Sequence, residues 1–287
     1  MRARAEVNGA VSVVNAAATG FGAAIAISAK ISVVAEPSDE GIRVAFDGVD
    51  PGDTRLVEAS AAVISEELGW TGGWSLRIIS EVPPRRGLKT SSAVSSALVA
   101  SMGTALGFEL SADDVLRLGV LASKRAGVTV TGALDDAGAS VLGGFVGADN
   151  DSGRIEVRRE VDPGGLLILV GIPDGELDKS SVRREAFRAL APVSSRAKEL
   201  ALEGRYWDAM TLNGLVVAAA LGQDSAPAAS AIRAGALGAG ITGMGPAVAA
   251  VAPEARAAEV SRALSAHGLR VSAHRIENSA GRWYAEV

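Results

Sequence analysis

A run of 23 residues without a charged side chain, Val7 to Ala29, constrains the fold of this 287-residue chain more than any other feature. Two arginines precede the run, a charge pattern shared with signal peptides and membrane spans. The run nevertheless contains asparagine, serine, threonine and three glycines, and its large apolar residues alternate with small ones. Such alternation is the period of a strand. We therefore predict two buried strands, joined by a turn at Gly20 and Gly22, in a cytoplasmic protein.

The composition narrows the possible functions. Hydrophobic residues make up 48% of the chain but aromatic residues only 4%, so the core must be built from small aliphatic side chains. The formal charge of −5 argues against a nucleic-acid surface. The chain has no cysteine and only two histidines, which excludes disulfides, thiolate metal sites and a histidine-rich zinc site. We expect no nucleic-acid or membrane partner, and the sequence leaves the oligomeric state open.

The periodicity of the whole chain mixes strands with helices and predicts an α+β fold of two packed halves. A polar segment at 149–153 indicates a hairpin tip. The predicted strands are 2–15, 24–35, 42–47, 74–80, 166–170, 247–252, 269–276 and 281–287, and the predicted helices are 54–68, 91–106, 112–125, 192–203, 205–221 and 255–266.

Residues 83–93 connect a predicted strand to a predicted helix through two prolines and a glycine. The first turn of a helix has free backbone N–H groups and the positive end of the helix dipole, which together favour a phosphate. Hydroxyl groups there can cap these donors or reach a magnesium ion. An ordinary helix start that binds nothing is the alternative. The candidate phosphate-binding residues are Pro83, Pro84, Arg85, Arg86, Gly87, Leu88, Lys89, Thr90, Ser91, Ser92 and Ala93, with Ser91 and Ser92 as candidate metal ligands.

The spacing of this segment resembles the second motif of the GHMP kinases, a superfamily that phosphorylates small alcohols. Pro83 is followed by three residues, Gly87-Leu88, one further residue and then a run of hydroxyls, in which Thr90 replaces the commoner serine. With Lys89 at its variable position, the motif most resembles that of the archaeal shikimate kinases within that superfamily. The resemblance implies ATP and Mg²⁺ as cofactors and a hydroxyl of the small molecule shikimate as the phosphate acceptor.

Two further segments agree with this resemblance, and the three motifs follow the family order. Residues 126–137 are similar to the archaeal shikimate kinases. Residues 240–247 are similar to the glycine-rich third motif, whose Gly243 and Gly245 would close over the phosphates beside Gly87. Without the resemblance, a tight turn is the simpler interpretation of these two glycines.

The resemblance also implies a division of the chain and a place for the nucleotide. We place a GHMP-like N-terminal domain with the phosphate loop at residues 1–160 and a C-terminal α+β domain at residues 161–287. In this family the nucleotide lies between the two halves.

Asp135 and Asp136 are the candidate catalytic residues. Capping of the helix that follows is the role that the residues alone favour. The resemblance implies instead that an aspartate here takes or orients the proton of the acceptor hydroxyl, and its spacing to Ala137 favours Asp135. Lys89 could neutralise a nucleotide phosphate or be a solvated loop lysine, and the sequence leaves both open. The sequence offers no separate acidic residue as a magnesium ligand, and Asp135 or Asp136 could serve instead.

The sequence gives less information about the acceptor site than about the phosphate and catalytic sites. A carboxylated substrate needs a basic cluster, and Lys179, Arg183 and Arg184 form the densest candidate, with a solvated helix face as the alternative. Homoserine or mevalonate kinase activity is the nearest alternative function. The first family motif is degenerate, since Gly9 is followed by alanine, which also leaves open a non-catalytic nucleotide-binding regulator. A non-catalytic interaction domain is a third class.

Overall fold

The computed structural model describes residues 1–47, 53–81, 88–129, 132–174 and 184–286. Strands and helices are mixed along the described chain, which confirms the prediction of an α+β fold. In chain order the elements are β1 (Ala3–Val14), β2 (Phe21–Ser38), β3 (Ile42–Asp47), α1 (Arg55–Leu68), β4 (Gly73–Ser80), α2 (Thr90–Ala105), α3 (Ala112–Arg125), α4 (Leu134–Leu142), β5 (Phe145–Asp149), β6 (Arg154–Arg159), β7 (Leu166–Pro173), α5 (Arg184–Ala189), α6 (Ala191–Leu202), α7 (Tyr206–Leu221), α8 (Ala226–Arg233), β8 (Gly238–Ile241), β9 (Val248–Pro253), α9 (Glu254–Ser265), β10 (Leu269–His274) and β11 (Arg282–Ala285).

Seven of the described strands form one mixed sheet, in which β1 and β2 lie at the centre. The path through this sheet is β11-β1-β2-β4-β3, and the hairpin of β5 and β6 pairs with the start of β2. β1 and β2 are antiparallel neighbours and contain most of the charge-free run, which confirms the prediction of two buried strands. Within the described ranges, no helix combines the length and apolarity needed to cross a membrane.

A second, antiparallel sheet is built from the later part of the chain. Its strand order is β10-β7-β9-β8. The final described strand, β11, does not join it but returns to pair with β1 in the first sheet. The division at residues 160 and 161 stays a prediction.

Small side chains allow α2 and α4 to lie close against β1 and β2. Ala93, Ala97 and Ala100 of α2 are fully buried in this contact. The largest core cluster consists mainly of alanine, valine, isoleucine and leucine, as the composition predicts. Because both helices pack on the same two strands, the sheet brings their N termini together at one end.

Most predicted elements match the observed ones with end points that differ by a few residues, and the hairpin at 149–153 is confirmed. Four elements were given no bounds by the sequence, namely α4, α5, α8 and β8, although a helix was expected to follow Asp135 and Asp136. α4 has only nine residues and β8 reads Gly-Ala-Gly-Ile. Short segments of small residues lack the apolar periodicity that distinguishes a helix or a strand from a loop.

Candidate active site

The N termini of α2 and α4 meet near the turn that joins β1 to β2. The residue before each helix adopts a left-handed backbone although it is not glycine: φ is 61° at Lys89 and 54° at Ala133. This conformation is uncommon for residues with a side chain and concentrates at functional sites. Both helix starts are therefore held in place by surrounding contacts.

Lys89 reaches from the start of α2 to the first turn of α4. Its Nζ lies 2.6 Å from Oδ1 of Asp136, and only 10% and 11% of the two side chains are exposed. The contact is a buried ion pair between the two helix starts. Lys89 is thus not a solvated loop lysine, and its assignment to a nucleotide phosphate stays a prediction.

The cluster of Lys89, Asp135 and Asp136 combines two carboxyl groups with one ammonium group in a buried site. Burial, followed by the proximity of Asp135, raises the pKa of Asp136 to about 8 against the opposing effect of Lys89. Burial by itself would lower the pKa of Lys89, but the two aspartates outweigh it and raise that pKa. The ammonium therefore keeps its charge, and Asp136 binds a proton at a higher pH than an exposed carboxyl group would.

Asp135 is held from two directions and is only 2% exposed. The side-chain amide of Asn150, at the tip of the β5–β6 hairpin, donates to Oδ1 of Asp135 over 2.9 Å. On the other side lies Gly22 of β2, where an added Cβ would be 2.6 Å from Oδ1 of Asp135 and closer still to Cγ and Oδ2. A side chain at position 22 would therefore displace the carboxylate.

The glycine-rich segment after β8 is attached to the end of β1 by buried hydrogen bonds. Asn15 donates through Nδ2 to the carbonyl of Gly243 over 2.8 Å, and its backbone N–H donates to Oδ1 of Asn213 over 2.7 Å. The Gly243 N–H donates to the Ser12 hydroxyl over 3.0 Å. Gly243 and Gly245 both have positive φ, at 60° and 75°. The third motif is thus fixed to the same end of the sheet as the aspartates.

The structure places the other predicted site residues unequally. In the first turn of α2, Ser91 is exposed while Thr90 and Ser92 are buried. Pro83, Pro84, Arg85, Arg86 and Gly87 lie outside the described residues, as do Lys179, Arg183 and the side chain of Arg184. Their assignments to phosphate and substrate stay predictions, as does the assignment of Ser91 and Ser92 to the metal.

Sequence reasoning missed three residues that shape this site: Gly22, Asn150 and Asn213. Gly22 was interpreted as part of a turn, and Asn150 as a polar residue of a hairpin tip. Asn213 lies within an otherwise apolar helix pattern and is 1% exposed. A buried asparagine in an apolar helix is a signal that could have been noticed, because buried amides need partners. The other two give no local signal.

Comparison with known proteins identifies the class to which this fold and site belong. Residues 55–144 match the GHMP kinases N terminal domain, and residues 209–269 match the GHMP kinases C terminal family. The first range holds the Lys89–Asp136 pair and the second holds Asn213 and the glycine-rich loop. The chain belongs to the GHMP kinase family.

Within the family, the chain is similar to the shikimate kinases of archaea. It is 40% identical to shikimate kinase of Methanothrix thermoacetophila over 98% of this chain and 96% of that protein. It is also 40% identical to shikimate kinase of Thermococcus kodakarensis, over 88% and 92% of the two chains.

Solved structures agree on the fold at much lower identity. Homoserine kinase from Cytophaga hutchinsonii has a TM-score of 0.74 at 19% identity, covering 98% of this chain and 97% of that one. Lactococcus lactis galactokinase has a TM-score of 0.77 at 13% identity, covering 98% and 95%. These likenesses establish the architecture and carry no information on the acceptor.

Proposed function

We propose that this protein is a shikimate kinase, which transfers the γ-phosphoryl group of ATP to a hydroxyl of shikimate to give shikimate 3-phosphate. The near full-length similarity to archaeal shikimate kinases carries the proposal of the acceptor. The buried cluster of Lys89, Asp135 and Asp136 supports a catalytic protein over a regulator that binds nucleotide without turnover. Burial of two carboxyl groups and an ammonium carries a desolvation cost, and titratable groups with pKa values shifted in this way cluster at functional sites.

Asp135 is the proposed general base. The acceptor hydroxyl loses its proton to the Asp135 carboxylate as its oxygen forms a bond to the γ-phosphorus, and the bond from that phosphorus to the leaving oxygen of ADP breaks. Lys89 limits the negative charge of the carboxyl pair, so that a proton acceptor can persist in a buried site. The N terminus of α2 provides backbone N–H groups for the phosphates. The positive φ of Gly243 and Gly245 lets the backbone of the glycine loop approach the phosphates closely.

Magnesium fits the site through the nucleotide. Among the described residues there is no group of three acidic, histidine or cysteine side chains that could enclose a metal. Mg²⁺ commonly binds through substrate phosphates and only one or two protein ligands, and the hydroxyls of Ser91 and Ser92 are the proposed contacts. The ion would neutralise charge on the transferred phosphoryl group.

The test is ADP release by the purified protein with ATP and Mg²⁺, in parallel with shikimate, homoserine and mevalonate. We expect release with shikimate alone, accompanied by a product heavier by one phosphoryl group. Asp135→Asn should remain folded and lose turnover. ADP release with only homoserine or mevalonate would refute shikimate as the acceptor but support a kinase. No ADP release with any of the three acceptors would refute both proposals.

A further inference from the structure

Asn150 lies in a turn whose backbone hydrogen bonds are made by another side chain. Oδ1 of Asp149 accepts the backbone N–H groups of Asp151 and Ser152, so the hairpin tip closes without the Asn150 side chain. Asp151 and Ser152 are exposed, yet Asn150 between them and the strand is only 5% exposed. Its amide points away from the turn, into the protein.

The buried amide connects three separate elements. Its Oδ1 accepts the backbone N–H of Leu134, the first residue of α4, over 2.7 Å. Its Nδ2 donates to Oδ1 of Asp135 over 2.9 Å and lies 3.3 Å from the carbonyl of Gly20, which also accepts the Asn150 backbone N–H over 3.0 Å. The turn after β1, the start of α4 and the hairpin tip therefore meet at one side chain.

The orientation of this amide follows from the chemistry of its neighbours. The Leu134 backbone nitrogen can only donate, so it must face the amide oxygen. The amide nitrogen then faces the Asp135 carboxylate, which accepts. The reverse orientation would set donor against donor at Leu134 and oxygen against oxygen at Asp135.

We propose that Asn150 is a positioning residue, which orients the carboxylate of Asp135 for proton transfer. The inference rests on the proposed kinase function. The Asp135 carboxylate occupies the space that a side chain at position 22 would need, and Asn150 holds it there by a directed hydrogen bond. A catalytic carboxylate gains rate from a fixed orientation, and small misplacements are costly.

The substitution Asn150→Asp separates this role from helix capping. It keeps an oxygen that can accept from Leu134. It replaces the amide nitrogen, which donates to Asp135 and to the Gly20 carbonyl, by an oxygen that faces the Asp135 carboxylate. We expect kcat to fall by ~100-fold with KM for ATP and acceptor nearly unchanged, because orientation is lost while the binding surfaces remain. A purely structural role would alter stability without this separation of kcat from KM.

Asn278→Asp is the matched control. Asn278 bridges the backbone of Val161 in the same way, accepting its N–H and donating to its carbonyl, each over 2.9 Å, away from the aspartates. This variant loses one amide donor and gains one charge, as Asn150→Asp does. We expect lower stability and wild-type kcat.

The outcomes distinguish a failure of the positioning role of Asn150 from a failure of the proposed kinase function. The variants are assayed with the acceptor on which the wild type releases ADP. If the wild type releases no ADP with any acceptor, both the kinase function and the positioning role of Asn150 are refuted. If Asn150→Asp does not fold, Asn150→Ala takes its place with the same expectation for kcat and KM. Wild-type kcat in a folded Asn150 variant of a working enzyme, or failure of both variants to fold, would overturn the positioning role.

Discussion

Replacing Gly22 by alanine tests the geometry around Asp135 with a single methyl group. The added Cβ would be 2.6 Å from Oδ1 of Asp135 and nearer to the other carboxyl atoms. Ordinary contact requires about 3.4 Å, so the carboxylate must move by ~1 Å, a displacement that can cost about 100-fold in rate. Overpacking in a buried sheet adds a destabilisation of about 1–3 kcal/mol.

The assay measures kcat for ADP release and the free energy of unfolding in urea for the same preparations. We expect kcat to fall by ~100-fold while the protein stays folded. Because the backbone around the phosphates is untouched, KM for ATP should change little.

Gly147→Ala is the control for strain in the same sheet. Gly147 lies on β5, which pairs with β2, and its added Cβ would meet Phe21 and Val157, each at 2.9 Å, and no catalytic candidate. A comparable loss of stability with normal kcat is expected. If Gly22→Ala retains kcat within about threefold of the wild type, the reasoning that places Asp135 against Gly22 is refuted.

Three further changes probe the rest of the cluster and the loop. Asp136→Asn should abolish a pH dependence of stability: the native carboxyl has a pKa of about 8 against 3.8 when unfolded, so the native state holds an extra proton between these values and the wild type loses stability as the pH rises through that window. Urea unfolding at both ends of the window checks this, and equal slopes for the two proteins would contradict it. Lys89→Met removes the only cation of the cluster and should lower the free energy of unfolding by about 3 kcal/mol, measured in urea at neutral pH; an unchanged value would mean that the ion pair is absent in solution. Asn15→Ala frees the carbonyl of Gly243 and should raise KM for ATP about tenfold with a smaller effect on kcat, measured by ATP titration at saturating acceptor; an unchanged KM would dissociate this hydrogen bond from nucleotide binding.

The parts of the fold that were predictable are those that local periodicity encodes. Alternating apolar residues in Val7–Ala29 define β1 and β2, and the 3.6-residue pattern at 112–125 defines α3. The bounds of α4 were not predicted because Leu134–Leu142 contains few large side chains, and its helical state depends on packing against β1, β2 and β5. Tertiary contacts of this kind leave no periodic trace in a short segment.

The site divides in the same way. Asp135 and Asp136 could be selected because paired acids in a run of small residues are unusual, and the resemblance gave them a role. Their environment could not be predicted from the sequence. Lys89 lies at the start of another helix, α2, and its ion pair with Asp136 forms because α2 and α4 pack on the same strands. Asn150 resembles any polar turn residue until its burial is known.

The strand β11 has a consequence for how this chain reaches its fold. It covers the outer edge of β1, and the Arg4–Glu286 contact beside it joins residues 282 positions apart. Until β11 pairs with β1, the backbone N–H and C=O groups along that edge are unpaired and can bind a strand of another chain. Contacts of such separation also form late. The first sheet thus stays exposed to intermolecular pairing until residues 282–285 have been synthesised.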